Sequence, residues 1–221
     1  NYNSLAHRTT WLRSDLIQGE GGIYPASEEF LKGVRKLCDD NGILLMLDEI
    51  QCGMGRSGKM FAWQWYDVVP DVMTVAKALG NGVPIGAFLA KGEAAAAMVP
   101  GDHGTTYGGN PFVTAAASRV LDIFEKRDIP GHAAEIGEYL KEKLEELKSR
   151  CSLIADCRGK GLIQGVELTV PAGPVVTKAL LEEKLVLITA GEKIIRFVPP
   201  LVIEKEDVDE MIKRLEKALM N

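Results

Sequence analysis

Ile43-Leu44-Leu45-Met46-Leu47-Asp48-Glu49 is the stretch on which the fold class turns. Five apolar residues in succession leave no polar face, which suits a strand buried on both sides of a parallel sheet. The run stops on two acids. In open α/β sheets, ligands bind outside the carboxyl ends of the strands, so Asp48 and Glu49 stand where chemistry is expected. A helix precedes the run. Ser27 can cap it, Glu28 and Glu29 suit its positive end, and Gly42 can close it in the left-handed conformation. Leu31, Val34, Leu37 and Cys38 form its apolar face.

Working outward, Val72–Val75 reads as a second strand that stops just before Lys77, and Ile85–Ala90 as a third. Gly104–Asn110 is a polar loop ahead of an apolar helix over Phe112–Phe124. On the other side, Trp11–Leu16 has neither a helical nor a strand period, and no strand is read there. Beyond about residue 126 the character changes. Ile136, Leu140, Leu144 and Leu147 line an amphipathic helix, and a final helix spans Lys205–Leu219. Between them, Leu153-Ile154, Leu162–Leu168, Val186–Thr189 and Ile194–Val198 read as strands, and Val175–Lys184 as a helix. The expectation is an α/β domain over 1–126 and an α+β domain over 127–221.

With 221 residues, 46% of them hydrophobic, the chain can bury one good core or two modest ones. A net charge of −5 without a basic stripe argues against nucleic acid, and no apolar run is long enough to span a membrane. Asn1-Tyr2-Asn3-Ser4 has the character of no secretory leader. Cys38, Cys52, Cys151 and Cys157 lack metal-ligand spacing, so no metal site is expected; they read as reduced thiols of a cytoplasmic protein.

Two constellations could carry chemistry. Gly53-Met54-Gly55-Arg56-Ser57-Gly58 matches the dinucleotide pattern G-x-G-x-x-G, but a true fingerprint opens a helix, and Lys59–Trp65 offers none clearly. The acids at 48 and 49 would also repel a pyrophosphate. The second set is Asp48, Gln51 and Lys77. Lys77 lies in Val75-Ala76-Lys77-Ala78-Leu79-Gly80, where small apolar neighbours would desolvate an ammonium and prepare it as a nucleophile. Pyridoxal phosphate needs such a lysine and an acid beside its ring nitrogen, for which Asp48 is the candidate.

Five stretches then carry a resemblance. Leu47–Gly58, Ala76–Ala87, His103–Pro111, Gln18-Gly19-Glu20-Gly21-Gly22 and Ile195-Arg196-Phe197-Val198-Pro199-Pro200-Leu201 stand in the order found in the class III aminotransferases, the ornithine-aminotransferase-like group. The resemblance implies a fold type I pyridoxal-phosphate-dependent transferase: the C-terminal part of the large α/β domain followed by the α+β small domain. It implies that Lys77 carries the cofactor and later moves the transamination proton, that Asp48 pairs with the pyridine nitrogen, and that Gln51 bonds near the 3-oxygen. Thr106, beside Gly108 and Gly109, would reach the cofactor phosphate of a second copy in a homodimer. Arg196 would bind a substrate carboxylate, and Glu20 would pair with Arg196 when no diacid is bound.

Gly-Glu-Gly-Gly together with Arg-Phe-Val-Pro-Pro points within the family to amino transfer between N-acetylornithine and 2-oxoglutarate, in arginine biosynthesis. The alternatives are transfer from ornithine, succinylornithine or 4-aminobutyrate, or a truncated homologue without catalysis. The resemblance covers residues 18–221. It implies that a main phosphate loop, a ring-stacking aromatic and a second substrate arginine belong to an N-terminal segment not contained here, so the chain alone is expected to be a weak catalyst.

Overall fold

The computed structural model describes residues 11–220; Asn1-Tyr2-Asn3-Ser4 lie outside them. The chain forms two compact units, one of residues 11–16, 26–54 and 61–127, the other of 17–25, 55–60 and 128–220. Where the expected division was contiguous, two short insertions, 17–25 and 55–60, belong with the C-terminal unit.

In the first unit, β1 (Trp11–Asp15), β4 (Leu44–Asp48), β5 (Val72–Val75) and β6 (Ala87–Ala90) form one sheet in the order β1-β4-β5-β6. The first three are parallel and β6 is antiparallel to β5. Helix α1 (Glu28–Asn41) leads into β4. The Ser27 hydroxyl accepts the Phe30 N–H at 3.1 Å, and Gly42, at φ 62°, donates its N–H to the Cys38 carbonyl. A glycine suits that closing position because a side chain is strained at positive φ. Leu31, Val34 and Cys38 are the buried face of α1.

Three expectations are corrected here. Trp11–Asp15 is a strand, paired in register with Leu44–Asp48. It is held by ladder hydrogen bonds to a strand more than thirty residues away, and its own side chains alternate only between exposed and half-buried. Next, β4 is not buried on both faces: Leu45 and Leu47 are, whereas Leu44 and Met46 on the opposite face are half-covered. Finally, the third strand begins at Ala87 rather than Ile85. Short helix α2 (Gly92–Ala96) follows it. Helix α3 (Pro111–Lys126), with Asn110 accepting the Phe112 and Val113 N–H groups, buries only Val113 and Ala117.

In the second unit, β7 (Ile154–Lys160), β8 (Ile163–Leu168), β10 (Ile194–Phe197) and β9 (Ile188–Thr189) form an antiparallel sheet in the order β7-β8-β10-β9. Helices α4 (Ile129–Arg150), α5 (Ala172–Leu181) and α6 (Lys205–Met220) cover one side. Leu140, Leu144, Leu147, Leu162, Phe197, Val208 and Leu215 are central to the core between them. Buried Gln164 donates from Nε2 to the Gly137 and Gly161 carbonyls at 2.5 and 2.8 Å, joining α4 to the β7–β8 turn. A Cβ on Gly137 would stand 2.4 Å from the Gly161 backbone, so no larger residue fits that crossing. Helix α5 starts three residues earlier than expected because Pro174 lies in its first turn, where a missing N–H costs nothing. A two-stranded hairpin, β2 (Ile17–Gln18) with β3 (Tyr24–Pro25), belongs to this unit.

Among the described residues no helix is long and apolar enough to cross a membrane. All four cysteines are buried thiols.

Candidate active site

The candidate residues fall into two groups, one in each unit. In the first, parallel pairing decides the arrangement. Asp48, the last residue of β4, stands opposite Thr74 on β5, so Lys77, three residues further, leaves the sheet at the same edge. Lys77 opens a 3-10 turn, Lys77–Leu79, at φ 46°. Left-handed backbone in a residue with a long side chain costs of the order of 1 kcal/mol and clusters where function demands a particular direction. The Lys77 carbonyl accepts the Gly80 and Asn81 N–H groups at 3.1 Å, fixing the turn. Gly80 admits no side chain there, because a Cβ would meet the Val83 carbonyl oxygen at 2.0 Å.

The desolvated setting expected for Lys77 is not formed by this chain. Val75 and Leu79 are buried, but Lys77 itself projects exposed from the strand end. Asp48 is more sheltered, its side chain 12% exposed. Its Oδ1 accepts the Ile50 N–H at 2.9 Å, and Oδ2 is met by Arg13 from β1, itself 61% exposed. Gln51 is half-buried in the turns beyond β4.

The two acids that looked alike in sequence part company. Glu49 is fully buried and accepts the Ala62 and Trp63 N–H groups at 2.9 Å, anchoring the short 3-10 helix Ala62–Trp65. Burial pushes its carboxyl above the ordinary range, an effect partly offset by those two hydrogen bonds. The glycine-rich stretch after it opens that four-residue 3-10 helix, not the helix a dinucleotide fingerprint requires.

Thr106 lies in the exposed stretch 101–109. The close approach that Gly108 permits is made within the loop: its N–H bonds the Thr105 hydroxyl at 3.1 Å, and a Cβ would meet Thr105 Cγ2 at 2.5 Å.

The second group is Glu20 and Arg196. Arg196 sits on β10 among buried Ile194, Ile195 and Phe197, and its guanidinium Nη1 donates to Glu20 Oε1 at 2.5 Å and to the Gly19 carbonyl at 3.1 Å. The arginine side chain is 10% exposed and the glutamate 77%. A buried cation therefore faces a largely exposed acid. Arg196 also lines a pocket of about 260 Å³ with Val186, Ile188, Val198 and Pro199. Nearby, Arg56 donates to the Leu162 and Pro199 carbonyls at 3.0 and 2.5 Å, and burial lowers it to about 10. Arg56 and Arg158, which grips the Glu20 hairpin, were not legible in sequence: each is a basic residue beside glycines, and only the fold brings its partners to it.

The description "Aminotransferase class-III" matches residues 15–219, and the chain belongs to that family. It is similar to the acetylornithine aminotransferase of Clostridium acetobutylicum, 46% identical over 97% of this chain and 56% of that protein. The acetylornithine aminotransferase of Methanocaldococcus jannaschii is 44% identical over 97% of this chain and 54% of its own length. Among solved structures, the N-acetylornithine aminotransferase from Stenotrophomonas maltophilia K279a superposes with a TM-score of 0.85 at 39% identity, over 94% of this chain and 55% of that one. An ornithine aminotransferase from Plasmodium yoelii gives 0.88 at 34%, over 94% and 56%. The chain thus spans about half the length of the relatives it matches.

Proposed function

We propose that the protein serves as a pyridoxal-phosphate-dependent aminotransferase that moves an amino group between N-acetylornithine and 2-oxoglutarate, in the cytoplasm and as a homodimer. The observation that carries the reading is Lys77 at positive φ beyond β5, one strand from the Asp48 carboxylate. The backbones of acetylornithine and ornithine aminotransferases fit the chain about equally well, so the fold alone does not choose the donor. Sequence identity supports the acetylated one.

The residues present fit the cofactor: an exposed lysine at the strand edge, a sheltered carboxylate, and an exposed Arg13 that can yield one carboxylate oxygen. When bound, pyridoxal phosphate supplies an electron sink for the C–H electrons of the carbon bearing the amino group and carries that group between half-reactions. Asp48 would hold a proton at the ring nitrogen. Lys77 Nζ would take the proton from the carbon that bears the amino group and return it. Gln51 would donate toward the 3-oxygen, and the Thr106 hydroxyl toward the phosphate held by a second copy. Arg196 would bind the 2-carboxylate of the diacid substrates, while Glu20 would neutralise Arg196 when the donor has no carboxylate on the carbon bearing the transferred amino group.

The test measures glutamate formation by the chain, alone and complemented by the part of the Clostridium relative that it does not match, with N-acetylornithine, ornithine, succinylornithine and 4-aminobutyrate as donors. Complementation is expected to raise activity, with N-acetylornithine preferred roughly tenfold or more in kcat/KM, the scale on which pockets separate related tails. A preference for free ornithine, or no transfer after complementation, overturns the proposal.

A further inference from the structure

One row of side chains crosses the sheet of the second unit. Arg158 on β7 and Arg196 on β10 are both register partners of Gly165 on β8. Directly opposed residues in antiparallel strands share a face, so the two arginines flank a glycine on one side of the sheet. The β2–β3 hairpin lies over that row. A Cβ on Gly165 would stand 2.9 Å from Ile23 Cβ, and Ile23 is fully buried. Each arginine grips one end of the hairpin turn: Arg196 takes the Gly19 carbonyl and Glu20, while Arg158 donates from Nε to the Gly22 carbonyl at 2.9 Å and lies 3.9 Å over the Tyr24 ring.

The two grips differ in kind. The Arg196 grip includes a highly exposed acid, and on the proposed function it must open whenever a carboxylate takes Glu20's place. The Arg158 grip involves backbone and an aromatic face, and Arg158 is itself fixed by Asp156 and Glu167 at 2.9 and 2.7 Å, with its side chain 12% exposed. Its partners all belong to the chain itself.

We propose that Arg158 is the standing clamp of the Glu20 hairpin, a positioning residue that keeps β2 and β3 docked while Glu20 leaves Arg196 and returns. Glu20 then moves as a side chain over a fixed turn. Without the clamp, the polar hold on the hairpin would fall to Arg196 alone beside the seating of Ile23, and a diacid that displaced Glu20 would loosen it. The inference rests on the carboxylate reading of Arg196 for its purpose, but not for its geometry.

Hydrogen exchange at the Ile23 amide, bonded to the Gln18 carbonyl within the hairpin at 2.8 Å, reports undocking in the 221-residue chain, because two-residue strands do not hold a hairpin closed once it leaves the sheet. Arg158→Met is expected to speed that exchange roughly tenfold or more, the worth of one buried charge-assisted hydrogen bond and a stacked cation, whereas Glu20→Ala changes it less than about threefold. Amides of α6 should be unaffected, which separates the effect from global loosening. Arg158→Lys keeps a cation between Asp156 and Glu167 and gives the same direction, smaller, should the methionine variant not fold. An effect of Glu20→Ala equal to or larger than that of the Arg158 variants overturns the clamp. Glutarate is the probe for the carboxylate reading. In the unaltered protein it should shift the Arg196 side-chain resonances and leave Ile23 protected; in Arg158→Lys it should also speed Ile23 exchange. If glutarate leaves Arg196 unmoved, the carboxylate reading fails while the exchange comparison still decides the clamp. If it undocks the hairpin in the unaltered protein, the clamp fails.

Discussion

Replacing Glu20 by alanine isolates the substrate-side claim. The Glu20–Arg196 contact is short, 2.5 Å, and in a dry interior would be strong. With 77% of the glutamate side chain in solvent it is heavily screened, and a contribution of about 0.5–1 kcal/mol is the appropriate scale. A diacid that binds Arg196 must displace that much. Glu20→Ala is therefore expected to tighten 2-oxoglutarate binding roughly two- to fivefold, the same energy expressed as an equilibrium constant. The other half-reaction should respond in the opposite sense. N-acetylornithine has no carboxylate on the carbon that bears the transferred amino group, so a guanidinium only 10% exposed would lose its acid without gaining one, which disfavours that complex. Single-turnover measurement of each half-reaction in the complemented protein, with 2-oxoglutarate affinity from the concentration dependence, reads both effects. Weaker diacid binding, or equal losses in the two halves, would show that the pair is structural and refute the exchange argument.

Three other outcomes follow from named contacts. Asp48→Ala should lower transamination in the complemented protein by about 10²–10³ while changing cofactor affinity far less, because its charge acts mostly where carbanion charge develops; a loss under about threefold in rate would remove Asp48 from the ring nitrogen. Gly165→Ala drives a methyl into Ile23 and should destabilise the chain by about 1–3 kcal/mol in urea unfolding, with faster exchange at Ile23 first; an unchanged midpoint would mean the hairpin is not seated there. Glu49 has a folded pKa raised by burial, so its contribution to stability is full below the ordinary value near 4.5 and is lost as pH rises through the raised one. Measured against Glu49→Gln, the unaltered chain should therefore lose stability as pH climbs from about 4.5, and a difference that stays flat or grows would contradict the burial argument.

What the sequence disclosed follows from which forces are local. Helix α1 was legible because Ser27 and Gly42 mark its two ends by interactions within a single turn of each, and β4 because its apolar run is continuous. β1 was not, since Trp11–Asp15 is held by a ladder to residues 44–48 and its side chains are half-exposed. β7 extends to Lys160, past the Leu153-Ile154 that announced it, because it is held by its ladder to β8 and by the bonds of Arg158 to Asp156 and Glu167, not by a continuous apolar run. At the site, motif order pointed to Lys77, Asp48, Glu20 and Arg196, but not to how they differ in exposure. By residue type the two acids at the strand end read alike; motif order singled out Asp48, and only the fold shows that Glu49 instead holds a buried 3-10 turn. Arg158 left no trace because its partners, Gly22, Tyr24 and Glu167, are scattered along the chain.

The central claim is that Lys77 holds the cofactor, and borohydride reduction in the presence of pyridoxal phosphate tests it most directly. Reduction fixes a pyridoxyl group on whichever lysine has reacted, and peptide mapping then locates the added mass. The account predicts a label on the peptide containing Lys77, lost in Lys77→Ala. A label centred on Lys91 or Lys160 instead, with the Lys77 peptide unmodified, would contradict it.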